Sequence, residues 1–249
     1  LVQVSETREE RDVTWHTGRL AAFDLETTSP DPESARIVTA CVAFVGGGLG
    51  TQTRTWLADP GVEIPEGAAK IHGVTTEHAR EHGRPAVQVV AEVCQSLVEA
   101  WSLGLPVVVF NAPYDLTVVD REVRRHGISD GFDVTGRSVV DPFVIDREVD
   151  KYRKGKRTLT AMCAHYGVAL DGAHDAAADA IGAARVAWAI GQRFPEIAAM
   201  DMDLLVKSQK AWHAERQDDF WRYLKRQGKP CDDVSGEWPQ RAYRERSEG

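Results

Sequence analysis

Pro106-Val-Val-Val-Phe110 is a wholly apolar run bounded by Gly104 and Asn111. A run of this length without polar alternation fits a central strand covered on both faces, as found where helices pack on either side of a sheet. Just before it, Ala86 to Trp101 places Val87, Val90, Ala91, Cys94, Leu97, Val98 and Trp101 at three- and four-residue spacing, the period of an amphipathic helix. Further upstream, Arg19 to Phe23, Arg36 to Phe44 and Thr51 to Leu57 are short β-rich runs, with Gly46-Gly-Gly48 as a turn before the third. Three strands in succession predict antiparallel hairpins. After the apolar run, Leu116 to His126 reads as a helix and Arg137 to Asp141 as a strand. Leu159 to Tyr166 reads as a helix stopped by Gly167, and Ala176 to Phe194 as a long helix ended by Pro195. Strands first, then alternating helices and strands, predict an α/β fold with helices packed on a mixed sheet. Beyond Pro195, Asp203 to Gln227 is expected to be helical, with Leu205, Trp212, Phe220 and Leu224 on roughly one face. Docking of that helix on the body is favoured over a free partner-binding extension.

Composition limits the function classes. The 249 residues carry Lys+Arg 30 against Asp+Glu 38, a net charge of −8, so strong basicity gives no pointer to nucleic acid. A hydrophobic share of 43% with 27% charged residues is that of a globular protein rather than a disordered or membrane one. No apolar run approaches the length of a membrane span, and Leu1 to Asp12 is polar and acidic, unlike a signal peptide. Cys41, Cys94, Cys163 and Cys231 are scattered without close pairs, which suggests reduced thiols and a cytoplasmic location.

Carboxylates end several of the expected elements. In Phe23-Asp24-Leu25-Glu26-Thr27-Thr28, strand alternation sends Asp24 and Glu26 to the same face. Two neighbouring carboxylates repel unless a cation lies between them, and their oxygens suit a hard ion such as Mg²⁺ or Mn²⁺. Taken alone, they read more readily as polar residues at a strand exit. Asn111-Ala-Pro-Tyr114-Asp115 follows the apolar strand, and Asp115 alone could simply stabilise a helix N-terminus. His174 and Asp179 are five residues apart, a rotation of roughly 140° in a helix, so to act together His174 must lie in the preceding loop. Gly172 and the candidate cap Asp175 favour that placement, and Ala176, Ala177 and Ala178 let the helix start approach the sheet.

Taken in order, D-x-E, N-x-x-x-D and H-x-A-x-x-D resemble the signature of the DEDDh exonucleases. This DnaQ-like group includes the proofreading ε subunit of bacterial DNA polymerase III, RNase T and oligoribonuclease. The resemblance spans roughly Gly18 to Arg193 and includes Ile71-His72-Gly73-Val74-Thr75, similar to the family's HGIT-like segment, and Leu159 to Gly167, similar to its helix before the histidine loop. One departure is Phe110, where the family often has His before the Asn.

The resemblance implies an RNase H-like, five-stranded mixed sheet flanked by helices, with the carboxylates at one end. The corresponding divisions are an N-terminal arm (1–17), an exonuclease domain (18–194) and a C-terminal helical extension (195–249). It also implies 3′–5′ hydrolysis of DNA ends to nucleoside 5′-monophosphates with two divalent ions. In that scheme Asp24 bridges both ions, Glu26 and Asp179 complete one site, Asp115 holds the other, and His174 takes the proton from the attacking water. Thr27, Thr28, Ile71, His72, Asn111 and Tyr114 are the corresponding substrate contacts. Lys151 to Arg157 is the densest basic stretch and reads equally as a phosphate track or a solvated loop. The expected partner is a single-stranded or frayed DNA 3′ end. The same chemistry on RNA and a noncatalytic nucleic-acid-binding or polymerase-associated module are the alternatives. Trp212, Trp221 and Trp238 keep a replication or repair partner open for the C-terminal extension.

Overall fold

The hairpins come first in space as in sequence. In the computed structural model, which describes residues 14–244, β1 (Arg19–Thr27), β2 (Ile37–Gly46) and β3 (Gln52–Asp59) pair antiparallel in succession. Gly46 closes the second turn at φ +77°, and a Cβ there would stand 2.8 Å from the Gly18 carbonyl oxygen, so only glycine fits. There follow α1 (Glu66–His72), α2 (Thr76–His82), β4 (Arg84–Pro85), α3 (Ala86–Ser102), β5 (Val107–Val109), α4 (Ala112–Arg125), β6 (Val139–Val140) and α5 (Pro142–Val149). The chain ends with α6 (Leu159–Tyr166), α7 (Ala176–Arg193), α8 (Pro195–Ala198) and α9 (Met202–Arg226). The sheet runs β4-β3-β2-β1-β5-β6, with β5 and β6 parallel to β1.

The mixed sheet flanked by helices is as expected, but it has six strands rather than five. The addition is β4, two residues beside the end of β3 and too short to leave an alternation in the sequence. α4 begins at Ala112 rather than Leu116, because Pro113 sits in its first turn, where a missing N–H costs nothing. The sequence reading assigns no element to α1, α2, α5 or α8, each eight residues or shorter and below the span over which periodicity can be read.

Strand alternation divides the core. Ala21, Phe23 and Leu25 of β1 and Val107 and Val109 of β5 pack against α3 and α4, together with Val93, Leu97 and Leu116. Leu20 and Ala22 of β1 and Val108 of β5 face the other way, onto Ala180, Ala183, Val186 and Ile190 of α7. Asp24 and Glu26 continue the Leu20–Ala22 side, so the register that buries β1 also turns both carboxylates toward the start of α7.

The first half of α9 docks as expected: Leu205, Gln209 and His213 are buried, and the Gln209 side-chain N–H donates to the Val139 carbonyl at 3.0 Å. The segment after it folds back onto the body. Trp238 is buried, and Arg121 donates to the carbonyls of Arg241 and Ala242. Of the expected N-terminal arm, residues 1–13 lie outside the described residues; Trp15 is buried and its indole N–H donates to the Ile197 carbonyl at 3.0 Å. All four cysteines are free thiols. No helix among the described residues is long and apolar enough to cross a membrane.

Candidate active site

Three chain segments meet where β1 and β5 end. Asp115, in the first turn of α4, is buried and accepts a hydrogen bond from the Leu25 N–H at 3.1 Å, which fastens it to the strand segment between Asp24 and Glu26. The turn that places it is left-handed at Asn111 (φ 65°, ψ 50°), a conformation Asn tolerates better than most residues. Asp141 holds this turn, since its carboxylate accepts from the N–H groups of Asn111 at 3.0 Å and Ala112 at 2.9 Å. The same side chain caps α5 through the Phe143 N–H at 3.0 Å and accepts from the Trp238 indole at 3.3 Å. Gln209 Oε1 in turn accepts from the Asp141 N–H at 2.6 Å. The C-terminal segment therefore braces the turn that sets Asp115.

The third segment is the loop before α7. Asp175 caps the helix by accepting from Ala177 and Ala178 at 3.0 Å. His174 precedes the cap at φ 68°, exposed, and its backbone N–H donates to Asp179 Oδ2 at 3.2 Å. Because His174 lies in the loop, it shares a site with Asp179: ligand atoms of Glu26, His174 and Asp179 all lie within 4.8 Å of one another.

The four carboxylates oppose one another. Burial, followed by the charges of Asp115, Asp179 and Glu26, raises Asp24 well above the usual carboxylate range. Burial and the charges of Asp179 and Asp175 push Glu26 up to about 7. Burial likewise raises Asp115 and Asp179. None of Asp24, Glu26, Asp115 or Asp179 forms an ion pair among the described residues, and Asp179 Oδ1 is buried without a hydrogen-bond partner. An all-oxygen donor set with unbalanced negative charge and an orphaned buried oxygen fits a hard divalent cation.

This arrangement has a pH signature. Raised carboxylate pKa values mean that the metal-free folded protein binds more protons than the unfolded chain between pH about 4.5 and about 7, so stability falls as pH rises through that window. His16, His72 and His213, lowered chiefly by burial, act with the opposite sign. Comparing melts in EDTA and in Mn²⁺ isolates the carboxylates. The expected result is a rise in Tm on adding Mn²⁺ that grows from pH 5 to pH 7.5; a Tm at pH 7.5 indifferent to the ion would contradict a cation site.

The sequence-derived substrate contacts are distributed around this centre. Thr27 Oγ1 donates to the Ser29 carbonyl at 3.1 Å and shares a short hydrogen bond with the Tyr114 hydroxyl, whose pKa burial pushes up to about 12. Thr28 is buried, with its N–H given to the Arg36 carbonyl and its hydroxyl accepting from the Arg36 N–H, both at 3.0 Å, so this residue closes the β1–β2 loop. Ile71 is 58% exposed on α1, His72 ends that helix beside Thr27, and Asn111 is exposed at its turn. In the basic stretch, Arg153 and Arg157 both turn inward to fully buried Asp146, which also accepts from the Tyr166 hydroxyl at 2.8 Å. Those two arginines are used by the fold, whereas Tyr152 is 94% exposed.

Sequence reasoning missed Asp141, Gln209 and Trp238. A signal for the first was available: Val139-Val140-Asp141-Pro142 is an apolar pair followed by a cap residue and a helix-first proline, close in form to Val109 to Pro113. Gln209 and Trp238 act across 68 and 97 residues of chain and leave no local trace.

The RNase T model, described as exonuclease, matches residues 21–187. No curated protein matches the chain. Among solved structures, E. coli Exonuclease I in complex with a dT13 oligonucleotide is similar at TM-score 0.59 and 17% identity, over 72% of this chain and 42% of that one. Exonuclease I from Methylocaldum szegediense, described as moderately thermophilic, is similar at TM-score 0.58 and 21% identity, over 72% and 41%. The zinc-ion-bound form of the E. coli Exonuclease I–ssDNA complex is similar at TM-score 0.59 and 17% identity, over 72% and 41%. At these identities the likeness is one of fold, and the chain spans about two fifths of each of these exonucleases.

Proposed function

The chain belongs to the RNase T exonuclease family, and on that premise we propose that it hydrolyses phosphodiester bonds at DNA 3′ ends, releasing nucleoside 5′-monophosphates in proofreading, repair or degradation. The observation that carries this reading is a group of carboxylates without an ion pair among the described residues: Glu26 and Asp179 share a ligand-sized cluster with the exposed His174, and Asp24 feels the charges of Glu26, Asp179 and Asp115. Asp24, Glu26, Asp115 and Asp179 would hold the divalent ions, with Asp24 shared between two of them. A pair of Mg²⁺ or Mn²⁺ ions, when bound, supplies charge screening of the phosphate and stabilisation of the entering and leaving oxygens. His174 accepts the proton of the attacking water, its loop position setting the imidazole beside Glu26 and Asp179. Thr27, Tyr114 and His72 seat the terminal nucleotide. Four free thiols support a reducing compartment, the cytoplasm in this reading.

The test is digestion of matched single-stranded DNA and RNA, labelled at the 3′ or the 5′ end, with Mg²⁺, Mn²⁺ or EDTA. Mononucleotides released from the 3′ end of DNA in either metal and absent in EDTA are expected. Faster release from RNA would reassign the substrate to an exoribonuclease. No cleavage of any strand by folded, metal-supplied protein would leave a noncatalytic binding module.

A further inference from the structure

The outer half of α9 presents a stripe that the carboxylate site does not use. Arg216, Phe220 and Tyr223 stand at i, i+4 and i+7, one face of the helix, and the two aromatics are 47% and 46% exposed. Arg147 of α5 lies against this stripe. Together with Arg216, Gln217, Asp219, Phe220 and Tyr223 it lines a hollow of about 360 Å³. Among the described residues neither Arg147 nor Arg216 forms an ion pair, Asp219 included, and Arg147 Nε is buried without a hydrogen-bond partner. Burial and the positive charges of Arg216 and Arg157 lower the Arg147 pKa from the usual guanidinium value. The carboxylates nearby, Asp219 in the hollow and Glu148 and Glu215 in the adjoining pocket, pair with neither arginine, so the two guanidinium groups repel, and an anion between them reverses the sign of that interaction.

The hollow connects with the candidate catalytic centre. Gln217 and Phe220 also line a neighbouring groove of about 440 Å³ that runs to Asn111 and Tyr114. Tyr114 shares its hydrogen bond with Thr27, the residue after Glu26. Along the other side, Phe110 packs on Phe143 at 5.4 Å between ring centroids, and the Arg147 guanidinium lies over Phe143 at 4.5 Å. A strand whose 3′ end is held at the carboxylates therefore has a continuous surface toward the arginines, with two aromatic faces beside them. We infer that the α9 stripe binds the single strand upstream of the reacting nucleotide, Arg147 and Arg216 clamping a backbone phosphate while Phe220 and Tyr223 stack on bases. This assignment rests on the exonuclease reading of the carboxylate site. It also explains how a chain of net charge −8 holds a polyanion, through a local pair of cations rather than a basic surface.

The test compares kcat/KM for single-stranded oligothymidylates of about twelve and of two nucleotides, in the full chain and in Arg216→Gln and Phe220→Ala, both at exposed positions where folding is not at risk. The native chain is expected to prefer the longer strand. Phe220→Ala is expected to cut that preference by about five- to hundredfold, the span of one stacked base. Arg216→Gln is expected to lower the salt slope for the longer strand by about 0.7, the share of one neutralised phosphate on a single strand, and Arg216→Lys to restore it. Variants that keep both the preference and the slope overturn the assignment, and an exposed stripe indifferent to DNA would then be free for a protein partner. Failure of the exonuclease reading would look different, as no nucleotide released from either length by the native chain. In that case fluorescence anisotropy with the twelve-nucleotide strand decides the clamp, retained if the variants bind more weakly and discarded if they bind equally.

Discussion

Asp24→Ala is expected to lower nucleotide release by about a thousandfold or more while raising the melting temperature of the metal-free protein. The first effect follows from position. The charges of Asp115, Asp179 and Glu26 all add to the rise in the Asp24 pKa, so Asp24 interacts with each of the other three carboxylates. Removing it deletes the ligand proposed to be shared by both ions, and several kcal/mol of transition-state charge stabilisation corresponds to at least three powers of ten in rate. The second effect follows from sign. A buried carboxylate whose pKa is raised destabilises the folded state at neutral pH, so its removal relieves repulsion on Glu26, Asp115 and Asp179. Asp24→Asn, which keeps the shape and loses the charge, should show the same pair of effects and separates them from any cavity left by alanine. Activity measured with Mn²⁺ and melting measured in EDTA give the two readings. Near-native turnover in either variant would sink the two-ion proposal, and a lowered metal-free Tm in Asp24→Asn would contradict the repulsion.

That a site can be costly when empty bears on what the sequence makes legible. Asp24 and Glu26 are readable because alternation in a strand is a local rule, and the Leu20–Ala22 side that carries them is buried against α7. The loop placement of His174 is readable because a five-residue spacing excludes a shared helical face, so a His174 that acts with Asp179 must precede the helix. Gly167 and Asp175 end and begin helices at the expected residues for equally local reasons, a left-handed stop and a side-chain cap. What cannot be read is whatever depends on pairing across the chain. The two residues of β4 become a strand only because β3 ends beside them. Arg153 and Arg157 read equally as a phosphate track or a solvated loop until Asp146 is placed beneath them. Asp141 is the clearest case. It sits in an ordinary cap position, yet it joins the Asn111 turn, the start of α5 and Trp238, and it holds the segment that carries Asp115.

His174→Asn is expected to lower kcat by about 10²–10⁴, the usual contribution of a positioned proton acceptor, with the affinity for Mn²⁺ unchanged. The choice of asparagine matters. His174 holds a left-handed backbone at φ 68°, and its N–H fixes Asp179 Oδ2, so alanine would disturb a metal-site carboxylate as well as removing the imidazole. Asparagine accepts that backbone and cannot serve as a base near neutral pH. The imidazole nitrogen lies within 4.8 Å of oxygens of Glu26 and Asp179, a position that suits a metal ligand as well as a proton acceptor. Their consequences differ. A ligand lost to asparagine weakens metal binding, and excess Mn²⁺ then recovers the rate. A base lost to asparagine leaves metal binding intact, and the lost rate resists excess Mn²⁺. Titrating Mn²⁺ into the variant while following kcat decides between them. Full recovery by the ion would transfer His174 from proton acceptor to metal ligand.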